Sequence, residues 1–178
     1  LELVEPWQLV LAERDDQLPH HGAGLGALLD DALRGVGVLS RYDGPIVDVG
    51  SGGGTPGIPL AVSLPDRVVT LLEAEHRKCD FLGRWENELA NLSVVWGRAE
   101  EQPVETFGVA VAKALAHPPT AAEWCLPLVR EGGAVVLWVG PTAERERIAA
   151  VAEQLGGKLV ESPEGFAVQG ALVPRRRP

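Results

Sequence analysis

The chain has 178 residues, of which 46% are hydrophobic and 23% charged, so it has enough apolar material for one domain with a buried core. This composition excludes disordered and collagen-like chains, and the presence of only Cys79 and Cys125 excludes a disulfide scaffold. The formal charge of −9 opposes long-range attraction to nucleic acid or to an anionic membrane, so a polyanionic partner would need a local basic patch.

The first 40 residues predict a short helical extension. Residues 3–13 suit a helix, residues 17–26 read as a loop, and leucines recur at helical spacing from Leu25 to Leu33. His20 and His21 lie in the loop without a third metal ligand at a suitable spacing, so we expect no metal site. We divide the chain into an N-terminal helical extension, 1–40, and a single further domain, 41–178.

From residue 46 onward, short apolar strands alternate with helices. The predicted strands are 46–49, 67–72, 92–96, 107–112 and 134–139, and the predicted helices are 58–64, 75–89, 119–129 and 142–155. Segments 158–161 and 166–173 flank a turn at 162–165, which predicts an antiparallel hairpin. This order is typical of an α/β fold with a doubly wound, mostly parallel, Rossmann-like sheet that binds ligands at the carboxyl ends of its strands.

The strongest motif follows the first predicted strand, where residues 46–57 read IVDVGSGGGTPG. Gly50, Gly52 and Gly54 allow a turn tight enough for a ligand to contact the backbone. Glu73 ends the next strand, where a carboxylate can accept hydrogen bonds from both hydroxyls of a ribose, although a solvated glutamate is the alternative. The pattern therefore predicts a nucleoside site.

The same glycines also satisfy the dinucleotide template, so the type of nucleoside needs a further argument. Asp48 would place a negative charge close to a pyrophosphate, but it suits the cationic amine of a methionine group; it could also only brace the loop. Pro56 and Pro59 remove N–H groups that a pyrophosphate would need. These residues favour S-adenosylmethionine over a nicotinamide cofactor.

Residues 47–61 resemble the cofactor loop of the RsmG (GidB) family, bacterial enzymes that methylate guanine N7 in small-subunit ribosomal RNA. Residues 69–73 (VTLLE), 78–82, 97–101 (GRAEE), 124–128 (WCLPL) and 132–133 are also similar, so the resemblance covers roughly residues 40–140. It implies a class I methyltransferase fold, S-adenosylmethionine as cofactor and ribosomal RNA as substrate. The cofactor-binding residues that we expect are Asp48, Gly50, Ser51, Gly52, Gly54, Thr55, Glu73, Ala99 and Glu100. Ala99 and Glu100 would contact the adenine, although Glu100 could instead cap a helix together with Glu101.

The chain departs from the family on the substrate side. Ala112-Lys113-Ala114 stands where the family has Ser-Arg-Ala, Leu137-Trp138-Val139-Gly140 stands where it has Ala-Leu-Lys-Gly, and its N-terminal pattern is not recognisable in residues 1–40. We therefore describe the chain as a divergent and N-terminally shortened relative. Lys113 is the only catalytic candidate, either orienting a base or phosphate or extending to solvent.

Three functions remain open at this stage. The first is methylation of guanine N7 in 16S ribosomal RNA, which the acidic charge weakens; the second is methylation of a small molecule; the third is cofactor binding without turnover. We expect no membrane partner, because the longest apolar run, 134–139, is far shorter than the ~20 residues of a bilayer span. The two cysteines suit a reducing cytoplasm.

Overall fold

The computed structural model describes residues 25–139, 143–161 and 167–171, so the predicted helix at 3–13 and the turn at 162–165 lie outside the described residues. The described helices are α1 (Leu25–Leu33), α2 (Val36–Leu39), α3 (Gly57–Ser63), α4 (His76–Leu82), α5 (Pro118–Cys125) and α6 (Arg145–Gln154). The strands are β1 (Ile46–Val49), β2 (Val69–Glu73), β3 (Leu92–Trp96), β4 (Phe107–Lys113), β5 (Val129–Trp138), β6 (Gly157–Glu161) and β7 (Ala167–Ala171). Short 3₁₀ helices cover Gly83–Asn87, Ala99–Glu101 and Leu126–Leu128. None of the described helices has both the length and the hydropathy that crossing a bilayer requires.

The seven strands form one sheet in the order β3-β2-β1-β4-β5-β7-β6. Strands β1 to β5 are parallel to one another, whereas β7 is antiparallel to both β5 and β6. This arrangement confirms the predicted mostly parallel sheet with a C-terminal antiparallel hairpin. The chain order reverses between β1 and β4, and ligands of such sheets bind beyond the carboxyl ends of the strands at this reversal.

Helices cover both faces of the sheet, because alternate residues of each strand point to opposite sides. One buried cluster includes Ile46, Leu71 and Val109 together with Leu29 and Leu39 from α1 and α2. The other contains the intervening strand residues and is covered by α5 and α6. Residues 25–39 therefore pack against the same sheet as the rest of the chain, and the division at residue 40 remains a sequence-based one.

Three predicted elements differ in extent from the structure. Helix α4 ends at Leu82 and continues as a 3₁₀ helix that buries Trp85. Helix α5 ends at Cys125, since Pro127 has no N–H to donate and the next turn is 3₁₀. Strand β5 begins at Val129 rather than at residue 134. Residues 130–132 are exposed and include Gly132 at φ +78°, so this part of the strand lacks an apolar pattern.

Candidate functional site

The glycine turn between β1 and α3 lies at the carboxyl edge of the sheet, next to the reversal of strand order. Gly50, Gly52 and Gly54 have φ values of +71°, +56° and +94°, a region that side-chain-bearing residues seldom adopt. The Gly54 N–H donates to the Ser51 carbonyl at 2.7 Å, which closes the turn. These three glycines are therefore required by the backbone conformation itself.

The Glu73 carboxylate is held against this turn by main-chain groups. The Gly52 N–H donates to Oε2 at 2.8 Å, and the Glu75 N–H donates to Oε1 at 2.8 Å. The side chain is only 7% exposed. Each carboxylate oxygen has a second acceptor site, so Glu73 can accept further hydrogen bonds without losing those that fix its position.

The Asp48 side chain lies beneath the turn and braces it. Its Oδ2 accepts a hydrogen bond from the Gly57 N–H at 3.0 Å, and the Ser51 hydroxyl donates to the Asp48 carbonyl at 2.8 Å. A Cβ at residue 57 would lie 2.6 Å from Oδ2, so α3 can approach β1 this closely only with glycine there. Burial raises the pKa of Asp48 to about 7, although the Gly57 N–H opposes this rise. Among the described residues, Oδ1 has no hydrogen-bond partner.

A cavity opens beside the turn, at the carboxyl ends of β1, β2 and β3. Its lining residues are Val49, Gly50, Leu72, Glu73, Ala74, Gly97, Arg98, Ala99, Glu100, Leu115 and Trp124. The structure thus brings together four of the predicted cofactor-binding residues, Gly50, Glu73, Ala99 and Glu100. The other five, Asp48, Ser51, Gly52, Gly54 and Thr55, lie in or behind the turn and do not line this cavity.

The 3₁₀ helix after β3 forms one wall of the cavity. Arg98 precedes this helix as its N-cap residue, and the Arg98 N–H donates to Oε2 of Glu101 at 3.0 Å. Capping is therefore the role of Glu101, and Glu100 is exposed at the cavity. Ala99 is buried and contributes an apolar surface.

Sequence reasoning missed Leu115 and assigned no role to Trp124. Leu115 follows Ala114, whose φ of +52° turns the chain at the end of β4. Its Cδ1 would lie 2.4 Å from a Cβ on Gly50, so the leucine packs directly against the glycine backbone. The available signal was positional, because residues just after a parallel strand lie at the edge where ligands bind.

Lys113 does not extend freely into solvent and does not line the cavity. Its Nζ lies 2.6 Å from Oδ2 of Asp31 on α1, and the two side chains are 21% and 35% exposed. The sequence placed Asp31 only on the polar side of a helix, so this partner was also missed. Among the residues that the structure describes, no group of three or more His, Cys, Asp or Glu side chains could hold a metal ion.

A family model matches most of the chain. The model of the GidB family, described as rRNA small subunit methyltransferase G, matches residues 25–161. The chain belongs to the GidB family. The match begins at α1, so it extends beyond the residues 40–140 over which the motifs show a resemblance.

Curated relatives carry the same family name but are longer. The ribosomal RNA small subunit methyltransferase G of a Synechococcus strain is 34% identical over 165 residues, which is 83% of this chain and 60% of the relative. The chain spans 50–65% of the length of the curated relatives that it matches.

Solved structures confirm the Rossmann-like methyltransferase fold. The CcbJ methyltransferase from Streptomyces caelestis has a TM-score of 0.66 at 14% identity, with 92% of this chain and 96% of that chain covered. TYW2 from M. jannaschii, solved in complex with AdoMet, has a TM-score of 0.56 at 16% identity, with 76% and 73% covered. At these identities the likeness concerns the fold alone.

Proposed function

We propose that this chain binds S-adenosylmethionine and transfers its methyl group to guanine N7 of small-subunit ribosomal RNA. The observation that carries the proposal is the Glu73 carboxylate, which the Gly52 N–H fixes at the glycine turn of a GidB-family chain. We expect this reaction in the cytoplasm, where the free thiols of Cys79 and Cys125 suit a reducing compartment.

The residues around the cavity fit the proposed cofactor. Glu73 offers its remaining acceptor sites to the two ribose hydroxyls, while Leu72, Leu115 and the 3₁₀ helix provide an apolar slot for the adenine. Asp48 and Ser51 support the turn from beneath, and the backbone of the turn, from Gly50 to Thr55, faces the methionine side.

Charge distinguishes this cofactor from a dinucleotide. Glu73 and Glu100 line the cavity, and Asp48 lies beneath the turn with an unpartnered oxygen in the described structure. The Glu73 and Glu100 carboxylates would repel a pyrophosphate, and Asp48 adds to this above its pKa of about 7, whereas all three favour a ligand with a sulfonium and an ammonium group.

The reaction needs alignment more than acid–base chemistry. S-adenosylmethionine, when bound, would supply an activated methyl group to the N7 lone pair and would keep the electron pair of its S–C bond on sulfur. Guanine N7 carries no proton, so no general base is needed. The protein's contribution is to hold the two reactants in line and to keep water out of the cleft.

The experiment combines cofactor binding with methyl transfer. Calorimetry with S-adenosylmethionine, and with NADH as the competing ligand, tests the cofactor; we expect the first to bind and the second to fail. Labelled methyl transfer is then measured in parallel on unmodified small-subunit RNA and on a small-molecule extract. Label in RNA supports the proposal, whereas label only in the extract identifies a small acceptor. Cofactor binding with no label in either fraction indicates a binding domain without turnover.

A further inference from the structure

Helix α1 meets the sheet at the ends of β4 and β5 through three residues, Asp31, Lys113 and Trp138, which we call the acceptor side. The Asp31 carboxylate pairs with Lys113 at 2.6 Å, and the Trp138 indole N–H donates to the Asp31 main-chain carbonyl at 2.8 Å. Lys113 and Trp138 are direct register partners in the sheet. The three residues therefore form one cluster at the carboxyl edge.

This cluster lies at the carboxyl edge of the sheet, on the face that also carries Asp48. Lys113 lies on the same sheet face as Asp48. Val109, Val111 and Lys113 are two residues apart along β4 and so share one face, and the two valines belong to the same buried cluster as Ile46, which lies two residues before Asp48 on β1. Lys113 is also close enough to lower the pKa of Asp48, although this is the smallest of the effects on that group. Asp48 pairs in register with Val111, so Lys113 lies two residues further along β4, where it meets Asp31.

The ion pair is not needed to attach α1 to the sheet. Leu29 and Ala32 of α1 are buried, at 5% and 0% exposure, and the Trp138 hydrogen bond uses the Asp31 backbone rather than its side chain. A partly exposed ion pair adds little to stability. Replacing the side chain of Asp31 or Lys113 should therefore leave the attachment of α1 intact.

We propose that Asp31 and Lys113 recognise the acceptor base as guanine; this inference rests on the proposed function. Guanine presents an O6 acceptor beside an N1–H donor, which the Lys113 ammonium and the Asp31 carboxylate complement. Adenine presents a donor and an acceptor in the reverse order, so it would meet like groups at both positions. Because N7, O6 and N1–H follow one another along the edge of guanine, a base with O6 at Lys113 and N1–H at Asp31 would present N7 on the far side of Lys113 from Asp31.

The two side chains have enough hydrogen-bonding capacity to bind a base without separating from each other. Lys113 has three N–H bonds and Asp31 two oxygens, so both can contact the base while remaining paired with each other.

The first test uses nucleotide binding, which does not depend on turnover. The ¹⁵N-labelled protein, saturated with S-adenosylhomocysteine, is titrated with 5′-GMP, IMP and AMP, and the Trp138 indole N–H signal is followed after assignment with Trp138→Phe. GMP and IMP share O6 and N1–H, so both should shift the signal, and AMP should not. Asp31→Asn should remove this difference. The control, Asp30→Asn, changes an exposed residue of the same helix and should retain it.

The second test measures kcat/KM on RNA transcripts with guanosine or adenosine at the target position. Asp31→Asn should lower the value for guanosine roughly ten- to a hundredfold relative to Asp30→Asn, with unchanged cofactor affinity. Equal responses to GMP and AMP, or full activity of Asp31→Asn, would overturn the inference and leave the proposed function standing. Base discrimination without RNA methylation would support guanine recognition and refute the RNA substrate.

Discussion

The cofactor side and the acceptor side of the cleft are built in different ways. On the cofactor side, which comprises the glycine turn, Glu73 and the Ala99–Glu101 helix, side chains are fixed by main-chain N–H groups. On the acceptor side, Lys113 and Trp138 contact Asp31, which lies 82 (113 − 31) and 107 residues away in the sequence. The cofactor side therefore depends on a local motif, whereas the acceptor side depends on how α1 docks.

The largest effect should follow from removing the Glu73 carboxylate. Glu73→Ala deletes the acceptor of the Gly52 N–H and the proposed acceptor of two ribose hydroxyls, and each hydrogen bond to a charged group contributes about 1.5–3 kcal/mol. Calorimetry should show S-adenosylmethionine affinity reduced by roughly a hundredfold or more. Glu131→Ala, which removes an exposed carboxylate at the start of β5, is the matched control. A loss of less than about threefold would contradict the ribose role.

The second prediction concerns how the buried Asp48 carboxyl beneath the turn makes the stability of the fold depend on pH. The pKa of Asp48 is raised from 3.8 to about 7, so the folded state holds a proton that the unfolded state has released. The stabilisation from this proton is complete below pH 3.8 and is lost as the pH rises through 7. The free energy of unfolding falls by about 1.36 kcal/mol per pH unit up to about pH 7 and then levels off. The loss between pH 5.5 and pH 8 is therefore about 2 kcal/mol.

Asp48→Asn cannot titrate and should not show this loss. Its free energy of unfolding, measured with urea, should therefore rise relative to the wild type by about 2 kcal/mol between pH 5.5 and pH 8. Glu131→Gln serves as the control and should follow the wild-type profile. Parallel profiles for Asp48→Asn and the wild type would show that Asp48 is ionised throughout this range.

The difference between the two sides also explains what the sequence could predict. Hydrophobic periodicity predicts the alternation of strands and helices along the chain. The glycine turn and Glu73 follow from one short segment around β1 and β2, so residues close in sequence are enough to predict them. Ala99 and Glu100 are expected from the family resemblance of residues 97–101, and they line the cavity because they lie just after β3. Asp31 could not be placed, since its role depends on the docking of α1 beside β4, and a helix with a polar face does not reveal which strand it meets.

The third prediction tests the contact between Leu115 and the glycine turn. Gly50→Ala should weaken cofactor binding, both because its φ is +71° and because the new Cβ would lie 2.4 Å from Leu115 Cδ1. In a Leu115→Ala background the clash with Leu115 is absent. A double-mutant cycle of Gly50→Ala and Leu115→Ala, measured on cofactor affinity, should therefore give an interaction energy of about 1 kcal/mol. At Gly52 the nearest atom to a Cβ is 3.8 Å away, so Gly52→Ala combined with Leu115→Ala should be additive. Additivity in both cycles would refute the contact.

The smallest effect should come from the attachment of α1. The Asp31 carbonyl lies in the last turn of α1, where carbonyls lack partners within the helix, and the Trp138 indole N–H caps it. Trp138→Phe should cost about 1 kcal/mol and speed amide exchange in α1. The control is Trp96→Phe, because that indole N–H donates to Ala74 at 3.1 Å from a ring that is 65% exposed. Equal losses in the two variants would contradict the capping role. If Trp138→Phe speeds amide exchange in α1 and leaves cofactor affinity unchanged, the contacts of α1 can weaken without affecting the glycine turn. We expect this result because the hydrogen bonds that fix the cofactor side do not involve α1.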